Sequence, residues 1–289
     1  MTPCRSALST FLENRNMRLW DVPLWLLGMA LAFVWAMPFV WMISTSLKPA
    51  NEIFSTKISL LPHNWAAAEN YGKAFTKVPL LRYLLNGVIV TAGIFALQLL
   101  IALPCAYALA KLRFKGRDIL FTMVLVGLMI PAQAPAIPRY VMLYEVGLLD
   151  SYAALILPFA FSAFGIFLMR QFFKSVPDDL MHAARIDGLG EFEILWRIML
   201  PLALPAMLAF GVISIVTHWN DFFWPLIVIQ SGDLATPPLG TLFFHNQEAG
   251  SDFGPLMAGT VVITAPLVLL FLAAQRRFIE GVTLSGMKG

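Results

Sequence analysis

Long apolar runs, separated by shorter polar segments, dominate the hydrophobic pattern of the chain. A bilayer core about 30 Å thick is crossed by about 20 apolar residues in a helix. Six runs reach that length, at residues 22–47, 84–110, 119–138, 151–169, 202–229 and 256–274. Backbone polar groups in lipid must be satisfied within their own segment, so these runs are expected to be helices. The pattern therefore predicts an all-α membrane protein with six transmembrane helices.

Composition supports this prediction and excludes other classes. Hydrophobic residues make up 59% of the chain and charged residues 13%, whereas soluble domains average about 45–50% and about 25%. The net charge is only +3. The sequence has no basic stripe with interleaved aromatic residues, so we expect no nucleic-acid partner. The four histidines and two cysteines are scattered. They lack the spacing of a metal site, so we expect no bound metal.

The Lys and Arg residues are divided unequally between the two sides of the predicted membrane. Fourteen fall in the tails and in the loops after the second and fourth helices, and six fall in the loops after the first and third. Since cytoplasmic loops are enriched in these residues, both termini are predicted to be cytoplasmic. The predicted organisation is a cytoplasmic tail at 1–21, a first helix with a long periplasmic loop at 22–83, a five-helix core at 84–280 with a cytoplasmic loop at 175–201, and a cytoplasmic tail at 281–289.

The cytoplasmic loop between the fourth and fifth helices contains a helix of its own. Pro177 suits the first position of a helix, and Asp178 and Asp179 favour the positive end of the helix dipole. Gly188 suits a left-handed residue at the helix end. These signals predict a helix over 177–187. Its mixture of small and charged residues is typical of a helix that docks into a cleft on a protein partner.

The run HAARIDGLGEFEILWRIMLP at 182–201 resembles the cytoplasmic "EAA" loop of ABC importer permeases. Seven residues match the family pattern at the right spacing: Ala183, Ala184, Asp187, Gly188, Ile198, Leu200 and Pro201. His182 stands where the family usually has Glu, and Leu189 where it usually has Ala. Segments at 39–49, 106–118, 219–226 and 275–289 are similar to the carbohydrate-uptake branch of that family, so the resemblance spans nearly the whole chain.

The resemblance implies a type I, MetI-like permease bundle in the bacterial cytoplasmic (inner) membrane. It implies four kinds of partner: a second, different permease subunit, two ATP-binding subunits that bind ATP and Mg, a periplasmic or lipid-anchored solute-binding protein, and the lipid bilayer. It also implies a coupling helix that seats in a groove of an ATP-binding subunit. The residues assigned to this contact are Asp178, Asp179, His182, Ala183, Ala184, Asp187 and Gly188. The chain has no P-loop sequence, so we expect it to bind no ATP or other cofactor itself.

Polar residues inside the predicted spans are candidates for a substrate pathway, because such residues are costly in lipid and often functional. They are Asn86, Gln98, Gln133, His218 and Asn220. A structural role for each of them remains open. We expect Asp221 to be a structural hydrogen-bonding residue near the outer interface. A substrate that carries phosphate would favour Arg or Lys in the pathway, and none lies inside the six runs.

The predicted function is therefore transport of a sugar, a polyol or a sugar-phosphate-like solute, with ATPase closure coupled to alternating access. A secondary carrier is the alternative, although such carriers usually show inverted repeats and charges near mid-membrane, and neither is apparent here. An embedded enzyme would need a nucleophile with its base, or an acid cluster, at bilayer depth. None is apparent, so we predict a translocation subunit that is not an enzyme. The outer loop at 231–255 is either a contact for the solute-binding protein or a solvated connector.

Overall fold

The computed structural model describes residues 21–55, 59–246 and 250–286, and helices dominate this part of the chain. The α-helices are α1 (Asp21–Ser46), α2 (Ala50–Ile53), α3 (Ala67–Lys77), α4 (Leu80–Lys111), α5 (Arg117–Met129), α6 (Ala136–Glu145), α7 (Tyr152–Ile156), α8 (Ala163–Ser175), α9 (Asp178–Ile186), α10 (Glu191–Ile194), α11 (Leu200–Trp219), α12 (Phe223–Val228), α13 (Pro237–Gly240) and α14 (Phe253–Gly286). Two two-residue strands, β1 (His245–Asn246) and β2 (Gly250–Ser251), pair antiparallel.

Four helical segments of the described residues are long and apolar enough to cross a membrane: Pro23–Ser46, Leu80–Lys111, Glu191–Trp219 and Phe253–Ala273. The segments Tyr152–Phe159 and Ala163–Ser175 meet at a 45° bend and make a fifth crossing if they are counted together. The break coincides with Ser162, whose hydroxyl caps α8 by accepting a hydrogen bond from the N–H of Gly165 at 3.0 Å. Five of the six predicted runs thus correspond to helices, or to a bent helix pair, at nearly the predicted positions.

The third predicted run, 119–138, is not one helix. Helix α5 ends at Met129, and α6 begins at Ala136. Ile130 has extended backbone angles (φ −80°, ψ 122°), because the ring of Pro131 disfavours helical geometry in the residue before it. A single continuous third helix was therefore a wrong prediction, and prolines inside the run explain the break.

The fifth helix begins about ten residues earlier than predicted and is continuous with the cytoplasmic loop. It runs from Glu191 to Trp219 through a π-helical turn at Leu195–Met199. The π-turn directly precedes Pro201, which lacks the N–H that would complete an α-helical turn there. The helix ends where the polar stretch 218–221 predicted a break, and the Asp221 carboxylate accepts a hydrogen bond from the N–H of Trp224 at 3.2 Å.

Helix α4 lies at the centre of the bundle and packs against α8 and α11, while α14 packs against α1, α3 and α11. Two main hydrophobic clusters lie towards opposite ends of α4. One includes Tyr83, Trp224 and Phe244, and the other includes Phe173 and Met199. Helix α1 has no buried residue in its apolar window, so the part of its surface that does not face α14 is available to lipid or to another subunit.

Candidate functional site

Helix α9 is a short helix with well-formed ends. Its first turn carries Asp178 and Asp179, and Pro177 is the N-cap, one position earlier than predicted. At the other end Gly188 has a φ of +82°, which confirms the predicted left-handed residue. The N–H of Gly188 bonds to the carbonyl of Arg185 at 3.1 Å, and that of Leu189 bonds to Ala184 at 3.0 Å. This pair of bonds is the Schellman motif, and it fixes the direction in which the chain leaves α9.

The N-terminal end of α9 is held by Lys111, the last residue of α4. Its ammonium group donates hydrogen bonds to the Val176 carbonyl at 2.5 Å and to the Asp178 carboxylate at 2.6 Å. The Lys111 side chain is buried, whereas that of Asp178 is exposed. The hydrogen bond and the positive charge of Lys111 lower the pKa of the Asp178 carboxyl below its usual value.

The C-terminal end of α9 is held by Glu191, which follows the loop. The Arg185 guanidinium donates to both Glu191 oxygens, at 2.8 and 3.3 Å. The Tyr107 hydroxyl of α4 donates to the same carboxylate at 2.5 Å. Glu191 therefore joins α9, α4 and the start of the fifth membrane helix, so the two ends of α9 are both fixed to α4.

Only one narrow side of α9 is buried. Met181 and Ala184 pack into the neighbouring core cluster. Of the seven predicted coupling residues, Ala184 is buried and the others are exposed: Asp178, Asp179, His182, Ala183, Asp187 and Gly188. The exposed apolar residues of this region are Ile186, which is 86% exposed, Phe192 and Leu180. The structure thus presents a largely exposed helix with apolar and charged side chains together.

A cavity of about 510 Å³ lies near the opposite end of the fifth helix. Gln133, His218 and Asn220, three of the five predicted pathway residues, line it together. Its other lining residues are Ala132, Ala136, Arg139, Phe159, Thr217, Asp221, Phe222, Phe223 and Trp224. The cavity combines aromatic surfaces with polar groups, which is the composition expected of a small-molecule site.

Arg139 is a cavity residue that the sequence interpretation missed. Arg139 lies one residue beyond the third apolar run, so the sequence pattern places it in an outer loop and predicts no basic residue in the pathway. Because a new helix starts at Ala136 after the proline break, Arg139 lies on the cavity wall, with its guanidinium carbon 5.4 Å from the centre of the Phe159 ring. The run contains three prolines, Pro131, Pro135 and Pro138. The position of Arg139 directly after the last of them was the only signal of this arrangement.

Asn86 and Gln98, the other two predicted pathway residues, are buried in hydrogen-bond networks. The Asn86 amide donates to the carbonyls of Asp233 and Ala235, both at 2.9 Å, and accepts from the Tyr152 hydroxyl at 2.6 Å. Its side chain lies among neighbouring segments of the chain, and the residue is only 1% exposed. In this structure Asn86 joins the outer loop to the bundle and does not line the cavity.

Gln98 lies behind the cavity. Its amide nitrogen donates to the Phe159 carbonyl at 3.0 Å, and its oxygen accepts from the Ser214 hydroxyl at 2.6 Å. The same amide nitrogen lies 3.2 Å from Nε2 of His218. Gln98 therefore orients a cavity residue without facing the cavity itself.

The outer loop after α12 is anchored at several points besides Asn86. The Asp150 carboxylate accepts hydrogen bonds from the backbone N–H groups of Gln230 and Ser231, both at 3.0 Å, and from the Ser231 hydroxyl at 2.9 Å. The bond from the Ser231 backbone is the main cause of a lowered pKa of the Asp150 carboxyl. An ion pair of 2.8 Å joins Lys77 to Asp252 near the far end of the loop.

The fold and these features define a helical membrane protein with a polar cavity towards one side and, on the other, an exposed helix whose two ends are tethered by ion pairs. Residues 98–283, more than half of the chain, match the model of the family described as "binding-protein-dependent transport system inner membrane component". The chain belongs to this family of transport permeases of the inner membrane.

Relatives with established names cover nearly the whole chain. The arabinooligosaccharides transport system permease protein AraQ of Halalkalibacterium halodurans is 36% identical over 270 residues, which are 92% of this chain and 96% of the relative. The lactose transport system permease protein LacG of Rhizobium radiobacter is 33% identical, over 86% of this chain and 90% of the relative. The sn-glycerol-3-phosphate transport system permease protein UgpE of Yersinia pestis is 30% identical, over 84% and 88%.

Solved structures show the same fold. A chain of a bacterial ABC transporter involved in the import of the acidic polysaccharide alginate superposes with a TM-score of 0.78 at 25% identity, over 96% of this chain and 100% of that chain. A chain of an alginate ABC transporter in complex with an alginate pentasaccharide-bound periplasmic protein superposes with a TM-score of 0.58 at 17% identity, over 89% and 96%. The bundle is therefore that of an ABC importer permease.

Proposed function

We propose that this chain is one of two transmembrane subunits of an ATP-driven importer for a sugar, a polyol or a sugar-phosphate-like solute. Its partners are a second, different permease subunit, two ATP-binding subunits that hold ATP and Mg, and a solute-binding protein. Relatives named for arabinooligosaccharides, lactose and sn-glycerol-3-phosphate support this range of solutes. The solved alginate transporter complex contains a periplasmic protein, which supports the last of these partners.

The single observation that carries the proposal is the exposed face of α9. Exposed apolar side chains surrounded by charges mark a protein interface, and Ile186, Phe192 and Leu180 are exposed apolar residues among the charged residues of this segment. Because both ends of α9 are fixed to α4, a displacement of α9 by a partner is transmitted to the bundle. Helix α9 is proposed as the coupling helix on these grounds.

The proposed topology has six crossings and two cytoplasmic termini. The 13 residues of α5 rise only about 20 Å at 1.5 Å per residue, which is too short for a bilayer core of about 30 Å. Residues 130–135 are therefore proposed to complete the third crossing in a non-helical form. Non-helical backbone at this depth is tolerated where it lines a cavity, and Ala132 and Gln133 do so.

The cavity is proposed as a section of the solute pathway. Gln133, His218 and Asn220 offer hydrogen-bonding groups, and Phe159 and Trp224 offer aromatic faces for sugar rings. Arg139 adds a positive charge, which suits a solute that carries a carboxylate or phosphate group. Asn86 and Gln98 are proposed to shape this section from behind and not to touch the solute.

The proposal is tested by two substitutions at Gly188 in the importer reconstituted with its partner subunits. Open space surrounds Gly188, so its positive φ is the main constraint on a side chain. Valine is disfavoured at this φ, whereas asparagine enters the left-handed region readily. We expect Gly188→Val to lose ATP-driven uptake of the solute held by the binding protein and Gly188→Asn to retain most of it.

The control is co-purification of the second permease with both variants, which shows that the bundle is folded. Normal uptake by Gly188→Val would contradict the role of α9. Uptake that continues without ATP and follows an ion gradient would instead favour a secondary carrier.

A further inference from the structure

Two adjoining pockets lie where α4 ends and α5 begins. The larger, of about 490 Å³, is lined by Lys111, Arg113, Arg117 and Arg185 together with residues of α9. The smaller, of about 350 Å³, shares Arg113 and Arg117 with the larger pocket. This basic pocket, defined by its four cations, thus occupies the surface between a membrane-helix end and the next membrane helix.

The four cations are not equivalent. Lys111 and Arg185 are engaged by the carboxylates that hold the two ends of α9. Among the residues that the structure describes, Arg117 forms an ion pair only with its sequence neighbour Asp118, at 3.2 Å, and Asp118 is highly exposed. Such an exposed pair is weak and is easily exchanged for another anion. Arg117 therefore keeps the capacity to bind a ligand.

Arg113 makes no ion pair with any residue that the structure describes. Arg113 and Arg117 both line the two pockets. Between them the chain makes a tight turn at Gly116, which has a φ of +89°. The turn places two guanidinium-bearing residues at one pocket. Guanidinium groups favour bidentate binding of phosphate oxygens.

The smaller pocket also has an apolar side. Phe114 and Ile119 form part of its lining, and both are exposed. Leu120 and Met123, which follow on α5, are exposed as well. A ligand that reaches the two arginines therefore lies beside a continuous apolar surface along α5.

We propose that the basic pocket binds the phosphate of an anionic phospholipid from the membrane leaflet at which α4 ends. The phosphate is bound by Arg113 and Arg117, and the acyl chains lie along the exposed face of α5. Basic pockets beside membrane helices bind anionic lipid headgroups by this combination of charge and apolar contact. The adjacent apolar face favours a lipid over an acidic loop of a protein partner, since such a loop would use only the charged half of the site.

The test is native mass spectrometry of the full-length chain in detergent, with equal amounts of phosphatidylglycerol and phosphatidylcholine that have the same acyl chains. We expect preferential retention of phosphatidylglycerol. Arg113→Gln and Arg117→Gln should each weaken its retention about fivefold. Lys115→Gln is the matched control, because Lys115 lies in the same turn but lines neither pocket, and it should change retention less than twofold.

Equal retention of the two lipids by the unmodified chain would overturn the proposal. An equal loss in Lys115→Gln and Arg113→Gln would also overturn it, because it would show a general charge effect. If Arg113→Gln released an ATP-binding subunit from the assembled importer and left lipid retention unchanged, the pocket would belong to a protein interface. The first two outcomes do not bear on the proposed transport function.

Discussion

The two ends of the bundle are held together by different kinds of contact. Near the outer loop the buried amide of Asn86 has all its strong partners inside the protein. At the opposite end α9 is fixed by ion pairs that are partly exposed at Asp178, Arg185 and Glu191. Breaking a buried, saturated hydrogen-bond network is costly, whereas exposed ion pairs contribute little. The outer end is therefore rigid by itself, while the α9 end depends more on what binds to it.

The largest expected effect is at Asn86. In Asn86→Ala the carbonyls of Asp233 and Ala235 and the hydroxyl of Tyr152 lose their partner, at a cost of about 3–5 kcal/mol. The Asn220→Ala variant is the control, because Asn220 is exposed and bonds only to a carbonyl one turn back in its own helix. Its expected cost is about 0.5 kcal/mol or less. Thermal unfolding in detergent measures both, and equal shifts would contradict the claim that the Asn86 network stabilises the outer end.

A smaller effect is expected at Glu191. Glu191→Gln weakens the contacts to Arg185 and Tyr107, and we expect the opening free energy of α9 to fall by about 1 kcal/mol, as for a partly exposed ionic contact. Glu193→Gln is the matched control. Glu193 makes a 3.4 Å ion pair with Arg197 one turn along the helix, and it accepts a hydrogen bond from the N–H of Gly190 that a glutamine can also accept. Hydrogen exchange of residues 178–187 reads out both variants. Faster exchange in the control than in Glu191→Gln would contradict the tether.

The smallest expected effect is the pH dependence of the Asp178–Lys111 contact. The pKa of Asp178 is lowered from its ordinary 3.8 in the folded protein. The contact therefore stabilises α9 above that ordinary value, and this contribution is lost as the pH falls through the lowered folded pKa.

The measurement compares hydrogen exchange of α9 between the unmodified chain and Asp178→Asn, after correction for the intrinsic pH dependence of exchange. We expect a constant difference from about pH 7 to pH 5, which shrinks only once the pH has fallen below the ordinary pKa of 3.8 and through the lowered folded pKa. If the difference in exchange between the unmodified chain and Asp178→Asn grew as the pH fell, the proposed Asp178–Lys111 contribution would be contradicted.

Local rules were enough to predict most of the helices and the ends of α9. The apolar runs placed the membrane helices, and the Asp178–Gly188 pattern placed α9 to within a residue at each end. These features depend on contacts within a few residues, such as a left-handed glycine and its two backbone bonds. The exposure of α9 also agrees with the charges that interrupt the apolar pattern there.

Long-range contacts could not be predicted in the same way. Asn86 bonds to residues 147 and 149 positions away, and nothing near it in the sequence indicates those carbonyls. Arg139 reaches the cavity because of a break whose geometry depends on Pro131 and on packing of the next helix. From the sequence, a polar residue in an apolar run could belong either to a buried hydrogen-bond network or to a cavity wall. The structure shows that Asn86 belongs to a buried network and that Gln133 lines the cavity.

Site-specific photo-crosslinking tests most directly the proposal that α9 docks onto an ATP-binding subunit. A photoreactive residue replaces Ile186 in one version of the importer and Leu61 in the other. Leu61 is an equally good probe site, being 77% exposed, but it belongs to the proposed periplasmic loop. We predict that position 186 crosslinks to the ATP-binding subunit, identified by mass spectrometry, and that position 61 does not. A crosslink to that subunit from position 61, or none from position 186 in an importer that hydrolyses ATP, would contradict the account.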